Sequence, residues 1–174
     1  GFALHALTEK DTDVVCAAFS LLQQQDVAVF KKHVRIGLTS PSFKIQLHAV
    51  HLLRMVDSDE AIKYIQSFLL HKNAIIRQKA LRELMLVNFS RVENLFMQYL
   101  GREIQPLLLV KAGFVAAFNP SADFPLKIYD IMNLASGYKK HILQLILRQS
   151  IEAIQAAGIL NQPVEVYVAE LRQK

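Results

Sequence analysis

Segments 11–22 (DTDVVCAAFSLL), 42–53 (SFKIQLHAVHLL) and 73–84 (NAIIRQKALREL) recur at a spacing of 31 residues and write one pattern three times. Each opens on a strong N-cap residue, Asp11, Ser42 or Asn73, whose side-chain oxygen can accept first-turn amides. The fourth column holds Val14, Ile45 and Ile76, and the eighth Ala18, Ala49 and Ala80. Phe19, Val50 and Leu81 fill the ninth, and Leu22, Leu53 and Leu84 the twelfth. Columns 4, 8, 9 and 12 make a single apolar stripe on a helix of period 3.6. The repeated alanine fits a crossing where a neighbouring helix comes close. A fourth copy starts at Gln105 before Pro106 and continues with Leu108 and Ala112, proline suiting the first helical position.

Between these helices lies a second set, predicted over 27–36, 59–70 (capped by Ser58), 90–101 and 123–134. Beyond 118 the register fades. A long helix is predicted from Ser136 to a stop at Gly158, and a last one after Pro163. No strand-like alternation competes. A two-helix unit cannot bury its apolar side alone, so the copies are expected to stack and share one core.

The order in LHALTEKDTDVVCAAFSLL resembles HEAT repeats, above all the short bacterial HEAT-like units. The resemblance is good over 1–87 and weaker over 102–118. It implies an all-α, right-handed α-α superhelix, an armadillo-type solenoid of about five helical pairs. One domain is expected over 1–174, with clear repeats in 1–118 and a divergent cap in 119–174. The chain opens on GFALHAL without Met and reads as a piece of a longer one. Arg77 stands where such repeats often carry arginine, but Val15 and Gln46 hold that place in the other copies.

Columns 3, 7 and 10 then face outward on the second helices, which line the concave side of HEAT-like stacks. Lys44, His48, His51, Lys79, Arg82 and, in the fourth copy, Lys111 form a basic stripe there. The stripe is either a surface for an acidic segment or a solvated helix face. Lys plus Arg exceed Asp plus Glu by 20 to 15, a net +5 that permits an acidic partner without demanding one.

Chemistry is hard to find. His48 and His51 stand at i and i+3, but no acidic residue or Cys joins them at neighbouring helical positions. No histidine precedes glutamate, whereas the HEAT-type deoxyhypusine hydroxylases bind iron through His-Glu pairs. The alkylpurine DNA glycosylases, also HEAT-like, press aromatic side chains, notably tryptophan, on DNA; this chain has no Trp. Its clusters FKKHVR (30–35) and YKKHI (138–142) could meet phosphate, though each is short. Nothing marks the bilin pocket of the phycobilin lyases. Gly-rich nucleotide loops, GxSxG and CxxC are lacking. No enzyme activity, metal or cofactor is expected.

The lone Cys16 reads as a small core residue, and the sequon Asn88-Phe89-Ser90 as a chance match. Phe89, Phe96, Tyr99, Phe114, Phe118, Phe124 and Tyr129 crowd the middle, as core or as a seam with a neighbouring domain. The longest apolar stretch, 104–118, is too short to span a bilayer. The expected role is a non-catalytic protein-interaction, scaffold or regulatory domain in the bacterial cytoplasm, its partner a protein or a neighbouring domain of the parent chain. A nucleic-acid-binding relative of the glycosylases and a soluble regulatory domain of a membrane transporter are the alternatives.

Overall fold

The structure, a computed structural model, describes residues 2–173; every regular element among them is helical. The chain forms two compact units, divided between Asn88 and Phe89. That division falls earlier than residue 118, where the repeat pattern fades.

The first unit holds α1 (Phe2–Ala6), α2 (Thr12–Gln25), α3 (Val27–Leu38), α4 (Phe43–Val56), α5 (Ser58–Leu69) and α6 (Ala74–Leu84). Each helix packs on the next, and α4 also packs on both α2 and α6. The three repeated segments are therefore neighbours in space as well as in pattern. Asp11 accepts amides of Asp13 and Val14, at 2.8 and 3.4 Å, and Asn73 accepts that of Ile75 at 2.9 Å. Ser42 occupies the N-cap without a side-chain bond. Asp57, rather than the predicted Ser58, caps α5 by accepting the Glu60 amide at 3.1 Å. Its second carboxylate oxygen takes Lys31 Nζ at 2.8 Å, and that bond is the main reason its carboxyl lies below the usual range.

Ala18, Ala49, Ala80 and Ala112 are all buried, and so are columns 9 and 12. Where α3 crosses α4, a Cβ placed on Gly37 of α3 would stand 2.8 Å from both Ala49 Cβ and the Phe19 ring. At Ala49 the eighth column is small because the α3 backbone passes there. Column 4 departs from expectation in the first copy. Val14 is exposed while Val15 is buried.

The second unit opens with a 3-10 turn (Phe89–Arg91), followed by α7 (Glu93–Arg102), α8 (Pro106–Phe118), α9 (Phe124–Leu134), α10 (Gly137–Ala156) and α11 (Val164–Leu171). The twenty-residue α10 is its spine and packs on α8, α9 and α11. Gly113 of α8 lets the two helices close: an added Cβ would lie 2.9 Å from Gln149 Oε1 and 3.3 Å from Ile146 Cγ1. Phe89, Phe96 and Phe124 form a triangle with centroids 5.4–5.7 Å apart, and Tyr99 leans on Phe96 at 6.4 Å. Those four rings are core; Phe114 and Phe118 are exposed, and Tyr129 is half-buried.

The predicted stop of α10 is a Schellman turn. Gly158, at φ +69, donates to Gln155 O (3.0 Å), and the Ile159 amide reaches back to Ile154 O (2.9 Å). A side chain at 158 would be strained, hence the glycine.

Candidate binding surface on the second helices

The repeated helices α2, α4 and α6 present columns 3, 7 and 10 on the side away from their buried stripe. Most of the predicted basic residues there are engaged with a residue about one repeat away. Lys44 on α4 forms an ion pair with Asp13 on α2, both well exposed. This contact raises the lysine's pKa, the hydrogen bond to Asp13 being the largest cause. His48 Nε2 lies 2.8 Å from Ser20 Oγ, and that hydroxyl also donates to Cys16 O at 3.2 Å. His51 Nδ1 stands 3.1 Å from Glu83 Oε1 on α6, while Arg54 Nε donates to Glu83 Oε2 at 2.8 Å. Successive second helices are thus joined by polar rungs across α2–α4 and α4–α6.

Glu83 is the centre of the second rung and is missing from the stripe read in sequence. Its side chain is 12% exposed and that of Arg54 15%, so water can only partly replace a lost partner. Glu83→Ala should destabilise the first unit by about 2 kcal/mol, less than a fully buried pair would lose. Arg54→Met combined with Glu83→Leu should recover most of that loss in urea denaturation. A signal for these rungs existed in the sequence. Asp13 and Lys44 are opposite charges in the same column, and Arg54 and Glu83 are 29 positions apart, close to the repeat length.

Burial, followed by the neighbouring His51, holds His48 below the usual histidine range. Protons then bind the unfolded chain more readily than the native one. Stability from this residue is complete above the unfolded pKa of about 6.5 and declines as pH falls toward the lower native value. The urea midpoint should therefore fall between pH 7.5 and pH 5.5, and His48→Gln should flatten that decline.

Lys79 and Arg82 differ from the other members of the stripe. Both are exposed on α6, and no carboxylate pairs with either among the described residues. Ile75, one turn before Lys79, is exposed as well. Lys111 belongs to α8 of the second unit, where it is half-buried and also without an ion pair. Arg77 is used differently, its Nη1 donating to His71 O and Lys72 O at 2.9 Å to close the turn between α5 and α6.

Cys16 is half-buried rather than fully internal, and burial pushes its thiol up, which favours the protonated form. Among the described residues no three His, Cys, Asp or Glu side chains are grouped to hold a metal ion, and no helix is long and apolar enough to cross a membrane. The two lysine clusters are partly occupied: Lys31 pairs with Asp57, Tyr138 donates to Ile104 O, and Lys139 donates to Gly101 O at 2.7 Å. The chain matches no protein-family model, no curated protein and no solved structure.

Proposed function

We propose that this chain is a non-catalytic protein-binding module, a HEAT-like right-handed solenoid that receives an acidic segment on its second helices. The observation that carries this reading is the contrast within the stripe. Lys44, His48 and His51 are engaged by Asp13, Ser20 and Glu83, whereas Lys79 and Arg82 project from α6 unpaired. Two unpaired cations beside an exposed Ile75 offer charge and apolar contact together, as a peptide carrying alternating acidic and aliphatic residues would require. Repeat stacks suit such a role because an extended helix face supplies contact area without an enclosed pocket. A scaffold or regulatory part within a longer chain is the corresponding biological setting.

The test uses a labelled Glu/Leu peptide and a labelled DNA duplex, both titrated at low salt by fluorescence anisotropy. The peptide should bind, and Lys79→Glu with Arg82→Glu should weaken it by about tenfold or more, mostly through slower association. Lys44→Glu, at a position already paired, should matter less. Tight duplex binding with a steep salt dependence would replace this reading with the nucleic-acid one. Binding of neither probe would overturn it.

A further inference from the structure

A further surface lies on α8 of the second unit, the helix that carries Lys111. Around this helix the side chains divide cleanly. Leu108, Leu109, Ala112, Gly113, Val115 and Ala116 are buried, as α8 packs on α10. Leu107, Val110, Phe114 and Phe118 stand on the opposite side, at positions that recur every three or four residues, and all are exposed. Phe114 is 53% exposed and Phe118 76%, and with Leu107 and Val110 they form one line on the helix rather than singly scattered apolar residues. Lys111 is the sole charged residue of the helix. It sits one turn after Leu107 and one turn before Phe114, on the apolar side.

We propose that this face of α8 docks an amphipathic helix of a partner protein, one whose apolar anchors carry a carboxylate placed to meet Lys111. The length fits: thirteen residues make a ridge about 20 Å long, enough for three turns of a partner packed along it. The charge selects the occupant. A second copy of the chain, packed about a two-fold axis centred on the stripe, would bring two Lys111 ammonium groups together, and like charges at an interface are strongly disfavoured. A membrane surface calls for a helix with many cations along a solvated polar face; α8 has one, and its other face is buried in protein. A partner carboxylate, by contrast, finds a single ammonium held among aromatic and aliphatic side chains, where partial desolvation strengthens the pair.

The probe is a display library of helices about fourteen residues long, with leucines at the anchor positions and random residues flanking them. Selection on the wild-type protein should enrich Asp or Glu at one flanking position. On Lys111→Glu the same position should turn to Lys or Arg, and Phe114→Asp should abolish enrichment while leaving the thermal melt unchanged, because residue 114 is exposed. Enriched helices without an acidic preference, or no enrichment at all, would overturn the proposal. So would self-association in sedimentation, or binding to phosphatidylserine vesicles, that Phe114→Asp removes, since the face would then belong to a second copy or a bilayer.

Discussion

Phe96→Ala is expected to destabilise the second unit by about 4 kcal/mol, the largest effect of any single substitution considered. Phe96 is fully buried and is shared by every ring contact of the cluster except that between Phe89 and Phe124. Truncation removes the buried ring, leaves a cavity, and strips the edge contact to Phe89 and the stacked contact to Phe124. Relief by collapse is limited, because Leu95 and Leu100 beside it are themselves buried in their own contacts. Urea denaturation followed by circular dichroism reads the loss. Phe118→Ala is the control: a residue 76% exposed should shift stability by no more than about 0.5 kcal/mol. Equal effects at 96 and 118 would mean that the aromatic triangle is not the core of this unit.

Gly37→Ala comes next, and its sign is opposite to what helix propensity dictates. Within a helix, alanine in place of glycine normally stabilises by up to about 1 kcal/mol. Here the new methyl would be driven to 2.8 Å from Ala49 Cβ, an atom fixed to the α4 backbone, and from the edge of the fully buried Phe19 ring. The first unit must separate three helices or force Phe19 out of its rotamer, and a net loss of about 2 kcal/mol is expected. Gly101→Ala makes the comparison sharp. An added Cβ there meets nothing within 4 Å, so ordinary propensity should prevail and the protein should gain stability. If both alanines stabilise, the close approach of α3 to α4 is wrong.

The helices were legible because their signals are local. Asp11 and Asn73 cap the helices that their column anticipated, Gly158 ends α10, and the eighth-column alanines are buried at helix contacts. Each of those outcomes depends on a few neighbouring residues and on a periodicity visible in one dimension. The shift from Val14 to Val15 was not legible, since both are apolar neighbours and the column pattern favoured the first. Ser58 gave way to Asp57 because two good caps are adjacent, and Asp57 also gains Lys31. At the candidate surface the outward columns were readable, but their state was not. Spacing put Lys44, His48 and His51 on one face; it could not say that Asp13, Ser20 and Glu83 would occupy them. The exposure of Phe114 was within reach, since the register of the fourth copy puts it in outward column 10 beside Lys111 in column 7, whereas Phe118 lies past the repeated columns.

The polar rungs along α2, α4 and α6 make the copies non-interchangeable. Inward, every copy offers the same alanine and leucine, and the main difference is the ninth column, where Phe19, Val50 and Leu81 stand. Sideways they differ: an aspartate waits for a lysine, a serine for an imidazole, and a glutamate for an arginine with its histidine. Excise the middle copy and the column-three neighbour of Asp13 becomes Ile75, while Glu83 loses both its cation and its imidazole. The lateral side chains thus act as a serial code, marking which copy comes first, second and third where the repeated alanine and leucine of the core do not.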